Sequence, residues 1–171
     1  ILTEDDNEFS PNILEFLNKG LEKFKDDKRI CEISAYNYPL IFPEMYKNNF
    51  YISKNGSPWG IGGWANREEE IRKYADLEVL KELLKNDKKL KKLKSDRPTA
   101  IGSIINMLKT RKLYYDTVKG CYATFEDKYW ILPTISKVKN TGDDGSGAHS
   151  KSKNRQVIDY HNKLEIDNTS T

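Results

Sequence analysis

The chain has 171 residues, enough for one domain with a real core, and its 37% hydrophobic, 11% aromatic and 32% charged residues suit a folded globular protein over a disordered one. A net charge of +3 gives no composition-level case for nucleic-acid binding. No apolar run approaches the ~20 residues of a membrane span, no secretory signal is visible, and Cys31 and Cys121 are too few for a disulfide framework, so they read as reduced thiols of a reducing compartment.

In chain order, the apolar pair Ile1-Leu2 reads as a strand stub that ends in the acidic triplet Glu4-Asp5-Asp6. Ser10 is a suitable N-cap and Pro11 a suitable first helical residue. Ile13, Leu14, Leu17, Leu21 and Phe24 then recur at helical spacing and predict an amphipathic helix to about Lys25. Residues 29–36 alternate like a strand, 39–49 form a proline- and asparagine-marked loop, and 50–53 form a second short strand before a glycine-rich stretch. From Asn66 the character is helical, with Leu77, Leu80, Leu84, Leu90 and Leu93 on one side and lysines filling the rest. The lysine run from Lys85 to Lys94 reads as a solvated helix face. Pro98 interrupts, Thr99 restarts a helix, and another begins near Asp116 and runs to about Phe125. Residues 129–132 read as a strand closed by Pro133, 136–154 as a polar loop with glycines, and the tail as loose. Strands and helices mix without a strict repeat, which predicts an α/β fold with a mixed sheet and flanking helices. The domain spans residues 1–150 and the tail 151–171.

Four segments could carry chemistry. Glu4-Asp5-Asp6 offers oxygen ligands of the kind Mg²⁺ and Mn²⁺ use together with substrate phosphates, or else a plain solvated turn. The stretch WGIGGW contains Trp59, Gly60, Gly62, Gly63 and Trp64. Indole faces suit the apolar face of a sugar, and glycines allow close backbone approach; the alternative is a turn with buried tryptophans. NTGDDGSGAH can cradle phosphate oxygens on successive N–H groups, with His149 as a neutral metal ligand, or can be a linker. Asp116 opens a predicted helix, where the dipole favours a carboxylate, either as a cap or as a positioned general base.

The order of these motifs resembles family 2-like glycosyltransferases of the GT-A fold, bacterial enzymes many of which build cell-surface polysaccharides. Their acidic motif takes an E-D-D form of D-x-D, matched by Glu4, Asp5 and Asp6, and is followed by an S-P helix start and I-S-G-Y-N-Y-P, in which Ala35 here replaces the glycine. Ser57, Trp59, Gly60 and Trp64 match their S-x-W-G-x-x-x-W block. Pro133, Ser136, Val138, Asn140, Gly142, Asp144, Gly145, Ser146, Gly147 and His149 match their last block. A looser similarity reaches the animal N-acetylglucosaminyltransferases that begin N-glycan branching.

The resemblance implies an inverting, cytoplasmic transferase, at most peripheral to the inner face of the membrane. It implies a nucleotide-diphosphate sugar as donor and a glycan or lipid-linked glycan as acceptor. Mn²⁺ or Mg²⁺ would be held chiefly by Asp6, with Asp5 and His149. Glu4, Asp144, Gly145, Ser146 and Gly147 would face the donor, the tryptophan loop would bind sugar, and Asp116 would be the catalytic base, with Glu68 or Glu69 as the substitute. Family members place a nucleotide-binding βαβ half before the acidic motif, so the chain is expected to be a C-terminal portion.

Overall fold

The computed structural model describes residues 1–38 and 40–141. Its centre is β2 (Ile30–Ser34), every residue of which is buried. The alternation read in residues 29–36 therefore does not sort them into an inner and an outer face, because both faces of this strand are covered. β5 (Tyr129–Pro133) pairs with β2 in parallel, β3 (Phe50–Ser53) pairs antiparallel with the far edge of β5, and β4 (Ile61–Gly63) pairs antiparallel with β2. The resulting order β3-β5-β2-β4 is the mixed sheet expected of an α/β chain. A separate ribbon pairs β1 (Asn7–Phe9) with β6 (Val138–Asn140), antiparallel, with Glu8 opposite Lys139.

One face of the sheet is covered by α1 (Ile13–Lys23), which buries Ile13 and Leu17 among Ile30, Ile33, Ile131 and Val138. The helix starts two residues later than Ser10-Pro11 predicts. The Ser10 N–H donates to the Lys137 carbonyl at 2.9 Å, continuing the β1–β6 pairing, and its hydroxyl donates to Asn12 Oδ1. Held in that extension, Ser10 is buried and cannot cap, and the N-cap position falls to Asn12.

The opposite face carries α2 (Ala65–Arg72), α3 (Leu77–Lys85), α4 (Asp87–Asp96), α5 (Pro98–Thr110) and α6 (Tyr115–Phe125). Ile71, Leu80, Leu83, Leu93, Ile104, Met107, Val118 and Cys121 form their shared core with Trp130 and Leu132. The leucine-rich run is two helices rather than one. Asn86 ends α3 in an extended conformation, and its Oδ1 accepts from the Lys89 N–H at 3.0 Å to start α4. Asp76 caps α3 in the same way, accepting from the Glu78 N–H at 2.7 Å. The lysines at 85, 88, 89, 91 and 94 are exposed, as a solvated face requires. Both cysteines are buried, and burial pushes the Cys121 thiol up to about 11, so neither is poised to react.

Helix α6 runs through the middle of this layer, buried from Val118 to Thr124. It is fastened to the sheet by an ion pair between Lys119 Nζ and Glu32 Oε1 at 2.5 Å, while the Trp130 indole N–H donates to Glu32 Oε2 at 3.0 Å. A register shift between Ile30 and Glu32 allows this. Cys31 packs in the core beneath α6 and Glu32 also reaches α6, so two successive residues serve one side while Ile30 and Ile33 serve the other. Burial raises the Glu32 carboxyl and Lys119 opposes that rise.

Removing one partner of a buried pair leaves the other uncompensated, at about 3–5 kcal/mol. Lys119→Met is expected to lower unfolding free energy by that amount in urea titration, and Glu32→Gln/Lys119→Met to recover more than half of it. The single variant's deficit should shrink as pH falls. Without Lys119 the folded Glu32 carboxyl binds its proton above the ordinary value of 4.5, so the variant gains stability on acidification and loses it as pH rises through the folded value.

Candidate functional site at the acidic turn

The acidic triplet sits in a turn tied down at both ends. Before it, Leu2 and Ile61 exchange backbone hydrogen bonds of 2.8 Å, which places the turn beside β4. After it, the Asp6 carbonyl accepts from the Thr141 N–H at 2.8 Å and the Thr141 hydroxyl at 2.9 Å. The short strands β1 and β6 then carry the chain away. The triplet thus lies between a β-bridge and a strand, and the start of the Gly/Ser/His segment is bonded directly to it. Asp144, Gly145, Ser146, Gly147 and His149 themselves lie outside the described residues.

Gly60 sets the approach to Ile61. It adopts φ +67°, and a Cβ there would stand 2.9 Å from the Ala35 Cβ, so both the backbone conformation and the space demand glycine. Its carbonyl accepts from the Ala35 N–H at 2.7 Å. The neighbouring Trp59 packs edge-on to Tyr36, with ring centroids 4.8 Å apart, and Tyr36 meets Tyr38 in the same fashion at 5.2 Å. The Trp59 indole N–H donates to the Glu4 carboxylate. The Tyr38 hydroxyl donates to the Gly56 carbonyl at 2.7 Å. An aromatic row therefore leads from the acidic turn along the loop that follows β2.

Asp116 enters this neighbourhood from the other layer, in the first turn of α6. Its charge acts on both Glu4 and Tyr38. The Glu4 carboxyl is raised first by partial desolvation, then by repulsion from Asp6, Asp116 and Asp5, and the Trp59 hydrogen bond works against that rise. Asp116 is raised by desolvation and eased by Lys119 one turn further along the helix. Its side chain reaches solvent, yet protein surrounds it closely enough to disfavour the charged form, as at the wall of a depression. Desolvation likewise raises Tyr38, with Arg97 opposing.

Glu4, Asp6, Trp59 and Asp116, drawn from three separated stretches, are thus brought together, with Asp5 exposed alongside. The remaining members of the glycine-tryptophan stretch are used otherwise. Gly62 lies under Leu21 of α1, where a Cβ would be 3.2 Å away, and Gly63 pairs with Glu32 in the sheet. Trp64 stands at the start of α2 with the Arg67 guanidinium 3.5 Å above its ring, and Arg67 is anchored on the Phe24 and Lys25 carbonyls. The stretch expected to be all loop thus contains strand β4, and the polar loop near its end contains strand β6. Glu68 is engaged elsewhere, accepting from the Tyr115 hydroxyl at 2.5 Å and pairing with Arg72.

For a divalent cation, one observation bears on fit. Asp6 Oδ1 is buried and lacks a hydrogen-bond partner among the described residues, which is what an oxygen awaiting water or an ion looks like. Among those residues no group of three His, Cys, Asp or Glu side chains is arranged to hold a metal by itself. Mg²⁺ and Mn²⁺ at nucleotide sites commonly take only one or two protein carboxylates, the rest coming from phosphate and water, so Asp6 with its acidic neighbours fits that role. Tyr36, Tyr38 and Lys119 were not singled out from sequence. The alternating aromatics of YNYP are the signal that could have pointed to the first two.

No protein-family model, no curated protein and no solved structure matches the chain significantly. No helix among the described residues is long and apolar enough to cross a membrane.

The Glu4–Asp116 juxtaposition can be read by carbon-detected NMR titration of Glu4. Asp116→Asn should lower the Glu4 midpoint because a like charge is removed, and Trp59→Phe should raise it because a hydrogen bond to the charged form is lost. A Glu4 midpoint indifferent to Asp116→Asn would separate the two carboxylates.

Proposed function

We propose that this chain carries the metal and acceptor residues of an inverting nucleotide-sugar glycosyltransferase of the GT-A kind, taking a nucleotide-diphosphate sugar and a glycan acceptor in cell-surface polysaccharide synthesis. The observation that carries the reading is the position of Asp116, at a helix start and in the electrostatic reach of the acidic turn. The order of motifs that resembles this family supplies the rest.

In this reading the acceptor hydroxyl gives its proton to the Asp116 carboxylate as its oxygen forms the bond to the anomeric carbon. The bond from that carbon to the diphosphate oxygen breaks on the opposite side, with inversion, and the nucleoside diphosphate leaves with the electron pair. A carboxylate raised by desolvation is a stronger base than an exposed one, which suits the task. A bound Mn²⁺ or Mg²⁺, held by Asp6 with Asp5 nearby, would neutralise charge on the departing diphosphate. Glu4, oriented by the Trp59 N–H, would accept from a donor hydroxyl. A second reading, a carbohydrate-binding module without catalysis, draws on Trp59 and Tyr38, the half-buried ends of the aromatic row about buried Tyr36, which need no metal to meet a sugar face.

Calorimetric titration with uridine or guanosine diphosphate, with and without Mn²⁺, distinguishes them. Metal-dependent binding abolished by Asp6→Ala is expected; sugar binding indifferent to Mn²⁺ and to Asp6 would favour the module. Where transfer is measured, Asp116→Asn should lower turnover by about 10²–10⁴-fold. The rate should also fall on acidification, with a midpoint above the ordinary aspartate value of 3.8, since Asp116 acts ionised and its proton affinity is raised. A loss smaller than about tenfold would remove Asp116 from the role of base.

A further inference from the structure

A cleft of about 220 Å³ opens between α1 and the β3–β5 edge of the sheet, and none of Glu4, Asp6, Trp59 or Asp116 lines it. We propose that it binds a small aromatic acid, one or two fused rings with a single carboxylate at the edge.

The reasoning starts from the pattern on α1. Phe16, Gly20 and Phe24 recur at intervals of four on its cleft side, with Lys19 and Lys23 beside them. Gly20 comes so close to the sheet that a Cβ would meet Ile33 Cγ2 at 2.9 Å, so the middle of the stripe carries no side chain. Phe16, Phe24 and Phe50 are each only half-buried, and with buried Ile131 they make an apolar surface. An apolar cavity of ~150 Å³ accepts one benzene ring, so this volume suits one or two rings and excludes a nucleotide or an extended lipid.

Charge decides what the ring must carry. Lys19, Lys23 and Lys137 border the cleft with Glu15, which pairs with Lys19; Lys137 is buried and partnered, so Lys23 is the cation that the cleft offers a ligand. Lys23 Nζ stands 4.7 Å from the Phe50 ring centroid and 5.8 Å from that of Phe24, and it enters no ion pair among the described residues. Lys137 Nζ lies 5.9 Å from the Phe16 ring. Phe24 and Phe50 pack edge-to-face with centroids 5.5 Å apart, so an aromatic body would seat between that pair and Phe16, across Gly20, and present its edge carboxylate to Lys23. A neutral ring would leave that attraction unused, and an aliphatic acid would leave the phenyl faces poorly matched.

The test is two-dimensional NMR titration of the full chain with 2-naphthoate, beside 2-naphthalenemethanol as the uncharged analogue. Saturable shifts confined to Phe16, Gly20, Phe24, Phe50 and Ile131 are expected, with the alcohol at least about fivefold weaker. Lys23→Gln, an exposed and fold-neutral change, should weaken naphthoate by about the same factor. Uridine diphosphate with Mn²⁺ should not compete, which keeps the outcome separate from the fate of the transferase reading. The proposal is overturned by no shifts up to about 10 mM ligand, by shifts centred elsewhere, by equal binding of acid and alcohol, or by undiminished binding to the Lys23→Gln variant.

Discussion

The Lys119–Glu32 pair is the constraint on which the rest of the arrangement turns. It joins α6, buried from Val118 to Thr124, to β2, buried throughout. The register shift in β2 turns Glu32 toward α6, and the Trp130 N–H donates to its second oxygen. Asp116 lies one turn before Lys119 on that same helix, so whatever fixes Lys119 also fixes where Asp116 emerges. A buried pair of this kind contributes little net stability against an apolar substitute. Its value here is positional: only one rotation and one height of α6 place the ammonium on Glu32, and that placement aims the first turn at the acidic turn.

The acidic turn is held by backbone rather than side chains. The Leu2–Ile61 bridge and the Asp6–Thr141 bonds define its two ends, and Gly60 lets β4 begin at the required spot. The carboxylates are consequently not spent on fixing their own loop. Glu4 has one donor, Trp59, and Asp6 leaves an oxygen unpartnered among the described residues. That division, main chain for structure and side chains for chemistry, is what a ligand site in a turn requires.

How much of this was legible in the sequence follows from where each signal is local. Leucine periodicity located α3 and α4 because packing against a core imposes it residue by residue, and Pro98 marked the start of α5. The split at Asn86 was less visible, since a cap residue inside a lysine run resembles any polar helix position. β1, β4 and β6 are three-residue strands with one apolar residue each, held by partners far away in the chain, and no local pattern announces them. Ser10 misled for a related reason: its capping chemistry is sound, but the β1–β6 pairing claimed its N–H first. At the site, Asp116, Glu4 and Asp6 were legible as carboxylates in unusual settings and Trp59 as an aromatic beside glycine. Trp64, chemically identical, was indistinguishable in sequence from Trp59 and proved to be stacked under Arg67.

The electrostatics of the site narrow what it can accept. Desolvation raises both the Glu4 and the Asp116 carboxyls, and repulsion from Asp6, Asp116 and Asp5 raises Glu4 further. The cation that eases Asp116 is Lys119, already bonded to Glu32. A bare diphosphate entering here would meet carboxylates with no counter-charge among the described residues that is free to move toward it. The same diphosphate carrying a divalent ion brings its own neutralisation and offers Asp6 Oδ1 the partner it lacks. In the proposed reading, a phosphate-bearing donor would therefore have to arrive here together with its cation.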